Sequence, residues 1–172
     1  MTYTEQKLPT DHPPVRTGGL GVLLVNLGTP DAPTPAAVKR YLAEFLSDPR
    51  VVEIPALVWQ PILRGIILNT RPKKSAHAYQ QVWTDKGSPL AAITAQQAEA
   101  LQARLGESAR VRWGMRYGNP SIPQELKALM DEGCDRILVA PLYPQYSGAT
   151  NATVMDKLGD TLRNMRWQPA LR

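Results

Sequence analysis

The sequence contains a single cysteine, only two histidines and no long apolar run, and each shortage excludes a class of protein. One thiol, Cys134, cannot form an internal disulfide, so a reducing compartment is favoured, and its acidic surroundings indicate a structural thiol. No apolar stretch reaches the roughly 20 residues that a membrane-spanning helix needs. Residues 1–19 contain no apolar core of a signal peptide and are expected to form a flexible polar tail. These features predict a cytoplasmic protein.

Metal-binding, acid–base and nucleotide-binding motifs are also missing. His12 lies in the polar tail, and His77 has no acidic or histidine partner at helical spacing, so both are expected to be surface or half-buried residues. No HExxH motif, Cys/His cluster or carboxylate pair occurs, so the sequence predicts no metal ligands and no catalytic group. The segment NLGTPDAPTP lacks the glycines of a dinucleotide fingerprint, which leaves a nucleotide-binding Rossmann domain as a weak alternative.

The composition is that of a globular protein, with 43% hydrophobic and 20% charged residues. The net charge of +5 comes from scattered basic residues and favours anionic ligands only weakly. Basic residues are not interleaved with aromatic residues in the pattern of a nucleic-acid platform, so no nucleic-acid partner is expected.

Strand and helix patterns alternate along the chain. Apolar runs that end in turn residues predict strands, and amphipathic stretches with capping residues predict helices. Thr34 before Pro35 and Ser88 before Pro89 are typical helix starts. This order predicts an α/β fold in which a parallel sheet is flanked by helices on both faces. The predicted strands are 21–28, 109–117, 136–143 and the beginning of a fourth at 169–172, and the predicted helices are 35–48, 72–84, 89–105, 121–133 and 148–165.

Aromatic and small polar residues follow the predicted strands. Ligands of parallel α/β sheets bind beyond the carboxyl ends of the strands, which here are residues 26–30, 114–117 and 142–146. Tyrosines offer flat apolar faces with polar tips, and Arg116 is the only charged residue in these three segments. They suit a flat, mostly apolar ligand with a few anionic groups. The alternative is a rigid loop after the third strand, with tyrosines that pack on the next helix.

The segment VVEIPALVWQPILRGIILNTRPKK, residues 51–74, holds many large apolar residues between two predicted helices. Its prolines and Gly65 are expected to prevent a long regular element, and its last residues are basic. Two interpretations remain open. The segment is either part of the core or a partly exposed apolar surface with a basic edge, which could rest on a membrane.

Four segments in this order resemble the amino-terminal half of ferrochelatase: residues 21–55, VWTDKGSPL, GMRYGNPS and PLYPQYSGAT. Members of this family, which are enzymes of the lyase class, insert ferrous iron into protoporphyrin IX in the last step of haem synthesis. The resemblance covers residues 20–172 and implies one Rossmann-like, chelatase-like lobe of an enzyme that holds the porphyrin between two such lobes. It also implies that the second lobe, with the metal-site histidine and its acidic partner, lies outside this chain, which alone would be inactive.

The resemblance assigns porphyrin-binding residues by motif. Leu27 matches the position that packs on the porphyrin face or, in some members, meets the metal side. Arg116 and Tyr117 match a pair that lines the cleft, where Arg116 could bind a carboxylate, and Tyr143 matches the cleft tyrosine of YPQYS. Tyr79 and Ser88 lie on segments that touch the macrocycle or its propionates. The set of porphyrin-binding residues that the resemblance implies is therefore Leu27, Tyr79, Ser88, Arg116, Tyr117 and Tyr143.

The resemblance also has implications for a bound iron–sulfur cluster and for a hydrophobic surface beside the pocket. Some members bind a [2Fe–2S] cluster through a cysteine just after PQYS, where this chain has Gly148, so no cluster and no permanently bound cofactor is expected. Residues 51–70, called the lip below, match a hydrophobic lip over the pocket mouth. In membrane-associated members this lip rests on the bilayer, and here residues 55–68 would make the contact. A non-catalytic tetrapyrrole-binding module remains the alternative, because the metal ligands are missing from this chain.

Overall fold

Four parallel strands form one sheet in the computed structural model, which describes residues 18–172. The strand order is β2-β1-β3-β4, so the first strand is central. The predicted α/β class is therefore confirmed. The elements are β1 (Gly19–Thr29), α1 (Pro35–Ser47), α2 (Ala56–Ile62), α3 (Leu68–Val82), α4 (Pro89–Leu105), β2 (Arg110–Gly118), α5 (Ile122–Asp131), β3 (Cys134–Pro141), α6 (Thr153–Arg163) and β4 (Ala170–Leu171), with π turns at Leu63–Ile67 and Gly148–Ala152 and a 3₁₀ turn at Gly106–Ser108.

Central strand β1 supplies both halves of the core because its alternate side chains point to opposite faces of the sheet. Leu23 and Val25 pack against α5 and α6 on one face. Val22 and Leu24 pack against α4 on the other face. Burial on both faces explains why this strand is a nearly continuous apolar run, which is typical of parallel sheets.

Capping residues set the predicted helix starts. The Thr34 hydroxyl accepts a hydrogen bond from the backbone N–H of Ala37, and Ser88 caps α4 in the same way. Strand β3 ends at Pro141, close to where the prolines of this segment predict its end. The expected fourth strand is confirmed as β4, which pairs with Arg136 and Ile137 of β3.

The expectation that residues 51–74 hold no long regular element is wrong. Helix α2, the π turn and α3 follow one another without a break from residue 56 to residue 82, with Pro61 and Pro72 inside. Asn69 and Thr70 donate side-chain hydrogen bonds to three carbonyl groups of the π turn. A π turn lets a helix continue where its regular bonding is interrupted, and solvent can satisfy the remaining carbonyls of an exposed helix.

His77 and Cys134 belong to no cluster of His, Cys, Asp and Glu side chains that could hold a metal ion among the described residues. His77 is exposed on α3 and lies 3.4 Å from the Gln81 side chain, while His12 and residues 1–17 lie outside the described part of the chain. Cys134 is buried at the start of β3, and this burial raises the pKa of its thiol. None of the helices in residues 18–172 is long and apolar enough to span a bilayer.

Candidate functional site

The carboxyl ends of β1, β2 and β3 meet at one edge of the sheet, called the strand-end edge below. In the register, Gly28 lies opposite Tyr117 of β2, and Val25 lies opposite Pro141 of β3. The pairing continues past β3, because the N–H of Leu142 donates to the Val25 carbonyl at 2.8 Å. This register brings the segments that carry Leu27, Tyr117 and Tyr143 to the same edge, as the sequence predicts.

Tyrosines cluster beneath this edge. Tyr41 of α1, which sequence analysis did not select, is buried and donates a hydrogen bond to the Gly28 carbonyl at 3.3 Å. Burial raises its pKa, and the nearby Tyr79, Tyr117 and Tyr143 raise it further. Tyr143 is half-buried, and its hydroxyl has no hydrogen-bond partner among the described residues. An unpaired buried hydroxyl is costly, and a bound ligand could supply the missing partner.

Asp48 joins Arg116 and Tyr117 below the strand-end edge. The Asp48 carboxylate lies 2.5 Å from the Arg116 guanidinium and accepts a hydrogen bond from the Tyr117 hydroxyl at 2.9 Å. Arg116 also donates to the Thr153 carbonyl at 2.7 Å, and its guanidinium lies 4.3 Å from the centre of the Tyr117 ring. The ring meets Phe45 edge-on. Every group in this cluster is therefore held by another part of the same lobe.

This geometry differs from the roles that the resemblance implies for the pair. Tyr117 has no exposed surface, and the Arg116 guanidinium is already paired with a carboxylate. Arg116 is the only charged residue in the three strand-end segments themselves, but the turn after α1 brings the Asp48 carboxylate to the end of β2. No local signal marked this contact, since Asp48 and Arg116 are 68 residues apart in sequence.

An open cavity of about 460 Å³ lies beside the ends of β1 and β2. Ser88 and Trp83 line it, and the Thr29 hydroxyl on its wall has no partner within residues 18–172. The Ser88 oxygen caps α4, which leaves its O–H free to donate to a ligand. Tyr79 packs edge-on against Trp83, with ring centroids 6.3 Å apart. Of the predicted residues, Ser88 thus lines the cavity, and Tyr79 lies behind Trp83.

A larger groove, of about 860 Å³, lies along the outer side of β2 between α4 and α5. Its central charge, Arg112, is paired with Glu125 at 3.0 Å and with Glu132 at 2.5 Å. These charges satisfy one another, and the groove contains none of the aromatic residues of the strand-end edge. We therefore regard the strand-end edge as the candidate site.

The outer surface of the lip is apolar. Leu57 is 90% exposed and Val58 is 55% exposed, and exposed isoleucines lie four residues before Val58 (Ile54) and four and eight residues after it (Ile62 and Ile66). The inner surface of the lip contributes Leu63 and Leu68 to the buried residues. Trp59 anchors the lip, because its indole N–H donates to the Leu46 carbonyl at 2.6 Å. One face of this helix therefore belongs to the core, and the opposite face is an exposed apolar surface.

The fold and the strand-end edge define a class of protein: a three-layer α/β lobe whose parallel strands end at an edge rich in aromatic residues. A sequence model of the ferrochelatase family matches residues 19–172. The chain is 56% identical over 158 residues to the ferrochelatase of Azoarcus sp. strain BH72, covering 91% of this chain and 44% of that relative. It is 53% identical over 176 residues to the Rhizobium etli ferrochelatase, covering 100% of this chain and 51% of the relative.

The chain belongs to the ferrochelatase family. A third relative, the ferrochelatase of Thioalkalivibrio sulfidiphilus, is 57% identical over 157 residues, which cover 89% of this chain and 42% of the relative. The chain thus spans about half the length of the curated relatives it matches. The resemblance identified from the sequence motifs is confirmed.

We expect stability to fall as pH rises above 10, because the tyrosine cluster opposes ionisation. Burial raises the pKa of Tyr143 from 10.0 to about 12, and burial also raises the pKa of Tyr41 and Tyr117. Between pH 10 and about pH 12 the unfolded chain binds fewer protons than the folded chain, so a rise in pH favours unfolding. The measurement is the free energy of unfolding in urea across this pH range, with phenolate absorbance recorded in parallel.

Tyr143→Phe is the control variant for this titration, because it removes one hydroxyl and leaves the ring. Its stability should decline less steeply above pH 10 than that of the unchanged chain, and the two curves should run parallel below pH 10. Identical slopes at high pH would contradict the burial of the Tyr143 hydroxyl.

Proposed function

We propose that this chain forms the porphyrin-binding lobe of an enzyme that inserts ferrous iron into protoporphyrin IX and yields protohaem. Family membership over residues 19–172 is the observation that carries this function. The strand-end edge supports it on physical grounds, because aromatic residues with unpaired hydroxyl groups suit a flat macrocycle that bears a few carboxylates.

Leu27 and Tyr143 would contact the macrocycle face. Leu27 is half-buried directly after the core residues of β1, and Tyr143 follows β3 at the same edge. The cavity beside Ser88 would receive a propionate, to which the Ser88 and Thr29 hydroxyl groups can donate. Tyr79 would contact the ligand beside Trp83. Arg116 and Tyr117 lie one layer deeper, below the residues that would touch the porphyrin.

Iron insertion also needs groups that hold the metal and remove the pyrrole protons. Within residues 18–172, no three His, Cys, Asp or Glu side chains come together to hold a metal ion. We therefore assign metal holding and proton removal to residues outside this part of the chain, and we expect the chain alone to be inactive. Ferrous iron is a substrate in this scheme, and no [2Fe–2S] cluster or other resident cofactor is included.

We also propose that the lobe is cytoplasmic and meets a membrane surface through residues 55–68 of the lip. The exposed apolar stripe on this helix and the basic residues that follow it, Arg71, Lys73 and Lys74, support this orientation. Apolar side chains would enter the interface, and basic side chains would approach anionic headgroups.

The test of function is an absorbance titration of protoporphyrin IX with the purified chain, compared with a panel of nucleotides. We expect weak porphyrin binding and no nucleotide binding. Tyr143→Ala should weaken porphyrin binding by roughly tenfold, because a desolvated aromatic contact is lost. Trp167→Ala is the matched control, since Trp167 is an exposed aromatic residue between α6 and β4, at the opposite edge of the sheet.

Iron insertion should be assayed in parallel, with the full-length Azoarcus relative as the positive control. The relative should insert ferrous iron, and the 172-residue chain should not. Porphyrin binding as tight as that of the relative would instead favour a non-catalytic tetrapyrrole-binding module. Insertion by the chain alone would overturn the assignment of metal holding to other residues, and nucleotide binding without porphyrin binding would overturn the function.

A further inference from the structure

Asp48 links three segments of the lobe by hydrogen bonds. One carboxylate oxygen accepts hydrogen bonds from Arg116 and Tyr117, and the other accepts from the backbone N–H of Arg50 at 2.8 Å. The Asp48 carbonyl accepts from the N–H groups of Val51 and Val52, both at 3.0 Å. Asp48 thus ends α1, shapes the first residues of the lip and contacts the end of β2.

Arg116 extends this network to the segment after β3. Its Nε donates to the carbonyl of Thr153, the first residue of α6. The chain between Tyr143 and Thr153 is the loop and π turn that follow the strand-end edge. A second link between the same regions lies at the surface, where the Arg50 guanidinium pairs with Asp156 of α6. The base of the lip and the segment after Tyr143 are therefore tied together through Arg116 and Asp48.

Burial makes this pair a poor site for an incoming anion. The Arg116 and Asp48 side chains are only 10% and 8% exposed. A ligand carboxylate that bound Arg116 would have to displace Asp48, and the displaced carboxylate would then be buried without a partner, which is strongly unfavourable. The guanidinium also has limited freedom to turn outward, because Nε is bonded to Thr153 and the group stacks on the Tyr117 ring.

We propose that Arg116 is a positioning residue, which binds Asp48 and Thr153 rather than a ligand carboxylate and so fixes the lip relative to the segment after Tyr143. This role replaces the ligand-carboxylate contact that the chemistry of a guanidinium suggests for Arg116. Its effect on porphyrin binding rests on the proposed function, whereas its effect on the lip is a property of the ligand-free lobe.

Hydrogen exchange of the ligand-free chain tests the role without any ligand. In Arg116→Gln and Asp48→Asn, amide exchange across residues 51–62 should rise by about tenfold or more, because this region loses its anchor. The double variant should rise no further than either single variant, since both remove the same interaction. Tyr117→Phe removes one hydrogen bond to Asp48 and leaves the ion pair, so it should fold and give a smaller rise in the same amides.

Porphyrin binding separates positioning from direct contact. Arg116→Gln should weaken the binding of protoporphyrin IX and of its dimethyl ester by the same factor, because the lost contact is internal to the lobe. Arg50→Gln, which breaks only the exposed pair with Asp156, is the matched control and should have the smaller effect on both ligands.

Two results would overturn the role of Arg116. One is a loss confined to the free acid, which would show that Arg116 binds a ligand carboxylate. The other is unchanged exchange at residues 51–62 in both Asp48→Asn and Tyr117→Phe, which would show that the pair does not anchor the lip. In a chain that binds no porphyrin, the proposed function fails, and the exchange measurement alone decides the role of Arg116.

Discussion

Gly28→Ala should destabilise the lobe by more than about 3 kcal/mol, measured as the free energy of unfolding in urea. Gly28 has a φ of +122°, a backbone conformation that residues with a side chain rarely adopt. A Cβ at this position would lie 1.9 Å from the Tyr117 carbonyl oxygen of β2. The clash is with backbone, so it could be relieved only by separating β1 from β2 at the strand-end edge.

Two other glycines provide controls that separate the clash from the backbone conformation. Gly133 also has a positive φ, of +87°, but a Cβ at this position would have no atom within 4 Å, so Gly133→Ala should cost about 1–2 kcal/mol. Gly65 lies in the helical lip with open space around it, so Gly65→Ala should be neutral or slightly stabilising. A Gly28→Ala variant no less stable than Gly133→Ala would contradict the described register between β1 and β2.

Leu57→Asp combined with Val58→Asp should reduce binding to vesicles that contain anionic phospholipid by more than about tenfold. These two side chains are among the most exposed large apolar residues of the lip. The substitution removes the apolar surface that they would bury in a membrane and adds two negative charges that anionic headgroups would repel. Co-sedimentation of the chain with vesicles of increasing anionic content measures the effect. The fold should persist, because neither side chain contributes to the core.

Ile93→Asp is the matched control for the lip, since Ile93 is an exposed apolar residue of α4 outside it. Its vesicle binding should equal that of the unchanged chain. Unchanged binding by the lip variant, together with slow amide exchange across residues 55–68, would show that this segment serves only the core of the lobe.

Local chemistry made much of the fold predictable from the sequence. Strand β1 was identified because burial on both faces requires a continuous apolar run, and the starts of α1 and α4 were identified because Thr34 and Ser88 are capping residues. The helix over the lip was missed because proline and glycine oppose helices locally. The side chains of Asn69 and Thr70, which bond to the π turn, offset that tendency.

Long-range contacts set the limit for the site. The strand ends were predicted to meet because parallel strands end at a common edge, which placed Leu27 and Tyr143 correctly at that edge. The ion pair between Arg116 and Asp48 could not be predicted, because Asp48 lies in a turn that no sequence pattern connects with β2. No motif marks Tyr41 in the sequence, and only the fold shows that it lies under the strand-end edge.

The central position of β1 also affects how the chain folds during synthesis. Val25 of β1 is hydrogen-bonded between two strands, with Gly114 opposite it in β2 and Pro141 opposite it in β3. A ribosome therefore releases β1 long before either of its partner strands exists. Until residue 118 has been made, β1 can be protected only by nearby helices or by a chaperone, and sequence-distant pairing of this kind slows folding.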